Sequence, residues 1–435
     1  MASPTAARGA NLGALVVALC WLLVLFDGLD FFVFSSATPT MIGDKFIGPA
    51  DPGTLGSYAT FGMLIGALSA GTVTDWIGRR KVVLTSVTIF TLASIICATA
   101  PSMGVFAWGR FIAGLGLGGL LPTSIALVSD YAPRGRGNLF VGLVMTAHQA
   151  GGIVAALVGL WLIEPFGWRI GFWVGVLPIL VLPVIAKFLP ESLSFLVAKG
   201  RTEEARALAE QYGVTVPAAK PASGNRWDAL ADLFRGGRGP RTLAFWLASF
   251  GGLALVYGFS VWLPKLMTSE GYDLGNSTLF LLVVNLGGIF GMLVAGRISD
   301  RVGTVKVTAL WFASSAAGLW AISIHMNLAL TYLVMFVTGF FLFSAQTMVY
   351  AAVAVRYAPK SRATAVGWVS GMGRFGAVFG PWLGTYLTDH HHQDAAFTTF
   401  ALIAVWSLVW ISLTGFSRKE EYQAVDTPAV PVRTG

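Results

Sequence analysis

Gly71-Thr-Val-Thr-Asp75-Trp-Ile-Gly78-Arg79-Arg80-Lys81 returns in the second half of this 435-residue chain as Gly296-Arg-Ile-Ser-Asp300-Arg301-Val-Gly303-Thr-Val-Lys306, at an offset of 225 (296 − 71). A second pair, Tyr131-Ala-Pro133-Arg134-Gly-Arg136 and Tyr357-Ala-Pro359-Lys360-Ser-Arg362, lies at an offset of 226 (357 − 131). Two matches at nearly one offset mark an internal duplication. Each repeat is a polar island between long apolar runs, as in a membrane protein built from two similar halves.

Outward from those islands the chain is 55% hydrophobic and only 11% charged, against about 25% charged in an ordinary soluble domain. Apolar runs of roughly 20 residues recur, each long enough to cross a bilayer as a helix. None has the apolar/polar alternation of a membrane barrel strand. Twelve spans are expected, near 13–35, 54–74, 81–100, 103–129, 138–162, 168–189, 241–266, 276–298, 305–325, 328–355, 363–388 and 394–416. They divide the chain into a six-helix half over 1–189, a linker over 190–240, a second six-helix half over 241–416 and a tail over 417–435. The linker holds the short helical pattern Gly200-Arg-Thr-Glu-Glu-Ala-Arg206 and a Pro/Gly/Ser-rich stretch at 216–226. The polar tail reads as disordered.

A net charge of +8 suggests nucleic acid less than it suggests topology. One set of loops carries Arg79, Arg80, Lys81, Arg134, Arg136, Arg297, Arg301, Lys306, Arg356, Lys360 and Arg362, while the opposite set holds little beyond Lys45, Arg169 and Lys265. The arginine-rich side is expected to be cytoplasmic, and an even number of spans puts both termini there. The first apolar run is too long for a cleavable signal peptide. Cys20 and Cys97 both fall inside spans, so no disulfide framework is implied.

The Gly71–Lys81 loop resembles the loop between helices 2 and 3 of the major facilitator superfamily. Pro190-Glu191-Ser192-Leu-Ser-Phe195 is similar to the signature shared by its sugar and organic-acid branches. Asp27-Gly28-Leu29-Asp30 resembles the D-G-x-D motif of the aromatic acid:proton symporters. Gly109-Arg110 with Gly114, Gly116, Gly118, Gly119 and Pro122, and Gly373-Arg374-Phe-Gly376 with Gly380-Pro381, resemble helices 4 and 11 of that family. The resemblance spans nearly the whole chain. It implies an all-α membrane fold of twelve helices in two pseudo-symmetric halves. It implies proton-coupled uptake of an aromatic carboxylate, such as benzoate or a hydroxybenzoate, by alternating access across the cell inner membrane. The expected partners are the acid anion, protons and the lipid bilayer, with the chain working as a monomer and without cofactor, metal or enzymatic activity.

A charge at the bilayer centre costs at least about 2.5–3.5 kcal/mol, so it is a functional candidate by default. Asp27, Asp30, Arg110 and Arg374 qualify. Asp27 and Asp30, three residues apart, share one helix face. Arg110 lies about seven residues, or roughly 10 Å, below the outer surface. Asp27 is at a comparable depth, and in the superfamily fold helices 1 and 4 both line the central cavity, so an Asp–Arg pair between them is expected. An anion competing for the arginine would free the aspartate to take a proton; the alternative is a permanent salt bridge. Arg374 corresponds through the repeat to Gln149, beside His148, so the second half has a fixed cation where the first has an amide. Its planar fork suits a substrate carboxylate, with Arg110 as the rival cation. No acid in the seventh or tenth span offers Arg374 a partner.

His148 titrates near neutral pH when unperturbed, or it simply bonds a neighbouring helix. Asn285, Gln346 and Tyr350 are uncharged polar groups placed to bond a ring hydroxyl or another helix. Phe31, Phe34, Tyr257, Trp262, Tyr350 and Trp368 offer flat apolar walls, although aromatics also face lipid. His390, His391 and His392 read as a solvated outer loop rather than a metal site. Asp75, Arg79 and Arg80, with Asp130, Asp300 and Arg301, form a candidate cytoplasmic gate of bridges between the halves. The glycines of the fourth span are expected at the half-to-half interface, where small residues let helices approach. They lack the strand-to-helix setting of a nucleotide loop. The competing functions are a sugar or aliphatic-acid symporter and a drug exporter. The seventh span, Phe250-Gly-Gly-Leu-Ala-Leu-Val-Tyr257, lacks the paired glutamines of sugar porters, and Arg374 would repel cationic drugs.

Overall fold

The computed structural model describes residues 4–131, 137–216, 231, 233–324, 326–357, 359–390, 392 and 395–416, apart from the side chains at 4–11, 71, 72, 75, 137–139, 141, 236, 274, 300, 359–363 and 416. The chain is a bundle of membrane helices. In hydrocarbon every backbone N–H and C=O must be satisfied within the segment, which only a helix achieves without neighbouring strands. The first six crossings are α1 (Pro4–Gly43), α2 (Asp51–Ile77), α3 (Arg79–Thr99), α4 (Met103–Tyr131), α5 (Gly137–Val158) and α6 (Arg169–Phe188). The second six are α7 (Gly239–Ser269), α8 (Leu274–Val302), α9 (Thr304–Ile322), α10 (Leu328–Arg356), α11 (Pro359–Asp389) and α12 (Ala396–Phe416). Ten helices among the described residues have the length and hydropathy to cross a membrane; α2 and α11, more polar, complete the twelve.

The duplication in the sequence becomes a duplication in helix contacts. α1 lies on α5 and α2 on α4 in the first half; α7 lies on α11 and α8 on α10 in the second. Each contact is made close by glycine. A Cβ at Gly28 would strike the His148 carbonyl, one at Gly114 the Ala59 carbonyl, one at Gly376 the Phe250 carbonyl and one at Gly339 the Val284 carbonyl. Helices without a hydrophobic force between them associate through such backbone approach. The α4 glycines differ from expectation here. Gly114 and Gly118 face α2, Gly116 faces α3, and Gly119 faces Ala70 of α2. They hold the first half together rather than forming its seam with the second, because α4 is wrapped by α1, α2, α3 and α5 of its own half.

The two halves touch through α2 against α11 and α5 against α8, pairs exchanged by the repeat. Ser57 Oγ donates to the Val378 carbonyl (2.9 Å) and Thr385 Oγ1 to the Ala50 carbonyl (2.7 Å). Gly53 lies against Pro381, and Gly152 against the Asn285 amide. Gly159, which opens a π-helical turn over Gly159–Ile163 at the end of α5, lies against Ser36 and Thr278. These contacts all lie on the half of the bundle away from the arginine-rich loops, so the halves are closed together at that end.

Most expected spans agree with the helices to within a few residues, but α1 continues to Gly43. The sixth span is broken rather than continuous. It runs Arg169–Val174, turns at Gly175, and resumes at Pro178, where proline's missing N–H suits a helix start. Between the halves lie two short helices, Leu193–Ala198 and Thr202–Tyr212. The tail over 417–435 and most of the Pro/Gly/Ser-rich stretch lie outside the described residues.

Candidate functional site

Asp27 and Asp30 of α1 lie near two arginines carried by different helices, and one of the aspartates forms an ion pair. Asp30 Oδ2 accepts from Arg110 Nη1 at 2.8 Å, and both side chains are almost completely buried. The guanidinium carbon lies 5.1 Å from the Phe34 ring centroid. The expected pairing at Asp27 is therefore corrected. Arg110 takes the aspartate one helical turn further along α1, and that pair is internal to the first half.

Asp27 forms no ion pair among the described residues. Its Oδ1 is buried with no hydrogen-bond partner among the described residues. Arg374 of α11 lies within electrostatic range of it. Arg374 Nη1 donates to Tyr257 Oη at 3.0 Å and touches Met63 Sδ at 3.9 Å. One arginine–aspartate pair is a direct bond within a half; the other is a looser relation between halves.

Aromatic rings wall this centre. The Phe31 and Tyr257 centroids are 4.8 Å apart at 70°, which brings α1 and α7 together. His148 of α5 lies edge-on to Phe32 at 5.4 Å, and its buried Nε2 has no partner among the described residues. Tyr350 lies within electrostatic reach of Arg374. Gln149 and Phe343 both press on Gly288 of α8. Asn285 Nδ2 donates to the Leu281 carbonyl at 2.8 Å and Gln346 Nε2 to Ser249 Oγ at 3.1 Å. Gln149 Oε1, Asn285 Oδ1 and Gln346 Oε1 are buried without partners among the described residues. Buried polar atoms are usually satisfied, and these three acceptors are among those that are not. Trp262 and Trp368 do not belong to this centre. Trp262 Nε1 donates to the Pro381 carbonyl, and Trp368 stacks on Trp246 at 5.6 Å.

A second charged cluster lies where α2 turns into α3. Gly78 has φ +97°, and a Cβ there would strike the Glu191 carboxylate. That carboxylate accepts from the N–H groups of Arg79 (2.8 Å), Arg80 (3.1 Å) and Ser192 (2.8 Å). It caps the start of α3, where orphan N–H groups and the helix dipole favour an anion. Arg79 Nη1 pairs with Asp130 at 3.1 Å. Asp130 also accepts from the Ser192 hydroxyl (2.5 Å) and the Ser194 hydroxyl (2.6 Å). Arg80 Nη2 donates to the Ala186 carbonyl, and Tyr131 Oη to the Glu191 carbonyl at 2.5 Å. The expectation of bridges between halves is corrected for this pair, which fastens the first half to its own linker. Arg301 is exposed, and the side chains of Asp75 and Asp300 lie outside the described residues. At the opposite end His390 Nδ1 meets the Tyr386 carbonyl at 2.9 Å, and His391 lies outside the described residues.

Glu191, Ser192 and Ser194 were visible only as a signature, and Tyr257 only as one aromatic among several. The signal for Tyr257 is its position opposite Phe31 in the repeat, at an offset of 226 (257 − 31).

Two helical halves closed at one end over a charged, aromatic-walled centre define a membrane transporter. The Major Facilitator Superfamily profile matches residues 20–345 and 286–433, and the chain belongs to that superfamily. It is 33% identical over 417 residues to the benzoate transport protein of Acinetobacter baylyi, covering 91% of this chain and 89% of that protein. It is 32% identical over 412 residues to the gentisate transporter of Corynebacterium glutamicum, covering 93% and 88%. Among solved structures, the partially occluded inward open xylose transporter XylE of E. coli superposes with a TM-score of 0.77 at 16% identity, covering 95% of this chain and all of that one.

Proposed function

We propose that this protein imports an aromatic carboxylate together with a proton by alternating access, as a multi-pass protein of the inner membrane with its arginine-rich end and both termini in the cytoplasm. The observation that carries the reading is Arg374. It is a buried cation on the seam, bonded to a neutral tyrosine, walled by Phe31 and Tyr257, and facing an aspartate with an unpaired oxygen. The benzoate and gentisate relatives transport acids that offer the matching chemistry, a flat ring and a carboxylate. The binding centre is the set Arg374, Tyr257, Phe31, His148, Gln149, Asn285 and Tyr350.

Charge balance gives the coupling. In the empty site Asp27 is the counter-charge of Arg374. A carboxylate that binds the guanidinium displaces that relation and leaves Asp27 as an uncompensated buried anion, which is costly. Taking one proton restores neutrality. The site then reorients with Arg374, the substrate anion and neutral Asp27, and it returns with Arg374 and ionised Asp27. Both forms carry no net charge, as a low-dielectric setting demands. Asp30 and Arg110 are satisfied by each other and hold α1 against α4 through the cycle. The halves rock about the centre. The α2–α11 and α5–α8 contacts close the outer mouth in this form, and the Glu191–Asp130 knot moves as part of the first half.

A sugar gives Arg374 nothing to neutralise, and a cationic drug would be repelled. Equilibrium binding to the purified protein separates these. Benzoate is expected to bind, with benzamide, xylose and benzylamine at least tenfold weaker. Equal affinity for the acid and the amide removes the carboxylate from the reading.

A further inference from the structure

Lys265 lies inside α7, eight residues beyond Tyr257 and so about 12 Å further toward the closed end. It is only 7% exposed. Its Nζ lies 5.1 Å from the Trp262 ring centroid. No carboxylate is within salt-bridge distance among the described residues. The Thr268 and Ser269 hydroxyls both donate to the Lys265 carbonyl (2.7 and 3.0 Å), so they are engaged with the backbone rather than with the ammonium. A lysine near a helix end ordinarily snorkels its charge into water; this one lies along Trp262 and lines a groove between two helices.

The space it lines is an open groove of about 390 Å³ between Pro39 and Ile42 of α1 and Thr268 and Ser269 of α7. That is within the range of small-molecule sites, which combine apolar walls with a few placed polar groups. The groove opens on the seam between the halves, along the same helix that carries Tyr257 to Arg374. An ammonium buried without a counter-charge is costly, and an anion of the right size removes that cost.

We propose that this groove is a second, outer carboxylate site, where Lys265 captures the anionic acid before the mouth opens to Arg374. The inference rests on the carboxylate reading of the central site. The ring lies against Pro39 and Ile42, and the carboxylate meets the ammonium. The outer site adds capture and not coupling, since its lining among the described residues holds no acid.

The test uses full-length protein in phosphatidylcholine nanodiscs and proteoliposomes, with benzoate as probe. In an Arg374→Lys background a weak, saturable benzoate site is expected to remain. Adding Lys265→Gln is expected to abolish it, and Lys265→Arg to retain it. In otherwise wild-type protein, Lys265→Gln is expected to raise the KM for uptake roughly tenfold at low ionic strength, with the maximal rate and proton dependence unchanged. The difference should shrink as salt screens the capture step. A wild-type KM in Lys265→Gln overturns the proposal, as does loss of all saturable binding in Arg374→Lys alone; both leave the central site intact. A defect that appears only when phosphatidylglycerol is added assigns Lys265 to a lipid headgroup and overturns it too. If wild-type protein prefers benzoate over benzamide at neither site, the carboxylate reading fails with it.

Discussion

Replacing Arg374 by lysine keeps the charge and removes the fork. In the structure Nη1 is committed to Tyr257 at 3.0 Å, which leaves the rest of the guanidinium to meet a carboxylate with two parallel bonds. An ammonium at the end of a flexible stem supplies a point charge without that geometry. Truncating a buried, hydrogen-bonded charge pair costs about 2–5 kcal/mol. At about 1.4 kcal/mol per tenfold, the Kd for benzoate rises by roughly thirty-fold to several thousand-fold. Benzamide has the same ring and no anion, so its weak binding should change by less than about threefold. Isothermal titration of both ligands into wild-type and Arg374→Lys protein reads the two effects separately. The same pair of titrations on Arg110→Lys should spare the preference for acid over amide, since Arg110 is occupied by Asp30. If Arg374→Lys binds benzoate as wild type does while Arg110→Lys loses the preference, the two arginines must exchange roles.

Asp30→Asn strands Arg110 as a buried cation. It should destabilise the first half by about 3–5 kcal/mol, seen as a lower melting temperature and reduced yield of monodisperse protein. A melting temperature equal to that of wild type would make the 2.8 Å pair dispensable. Gly152→Val places methyl groups where the Asn285 amide lies, so that side chain must turn away or α5 must draw back from α8. Import should fall at least tenfold with substrate still binding from outside; unchanged turnover would mean that the α5–α8 contact is not part of the cycle. Glu191→Gln weakens the anion at the start of α3 and should lower thermal stability while leaving benzoate affinity within about twofold. A large affinity change would tie that knot to the binding site.

Twelve crossings were legible because hydrocarbon tolerates little else than long apolar helices. The duplication was legible because the polar turns between them are the least constrained by lipid. The partner of Arg110 was not. Asp27 and Asp30 differ by three residues, about 4.5 Å along a helix, and the direction of each side chain depends on how α1 is rotated against α4. The aspartate within electrostatic range of Arg374 is on α1, in the other half. Contacts across the seam depend on how the halves are docked, which no single-helix pattern encodes. The α4 glycines announced a close approach without naming the neighbour. The expected span over 241–266 already contained Lys265; what the sequence did not show is its burial beside Pro39 and Ile42 of α1, a contact between helices that no single-helix pattern encodes.

The coupling of Asp27 to the substrate is tested most directly by counting protons and acid together. Proteoliposomes carrying an internal pH dye, with the membrane potential clamped at zero, are given labelled benzoate at an acidic external pH. Wild-type protein should move one proton inward per benzoate and accumulate it in proportion to the pH gradient. Asp27→Asn should exchange labelled for unlabelled benzoate with no proton flux and no accumulation. Asp27→Asn protein that still concentrates benzoate and acidifies the lumen would contradict the account.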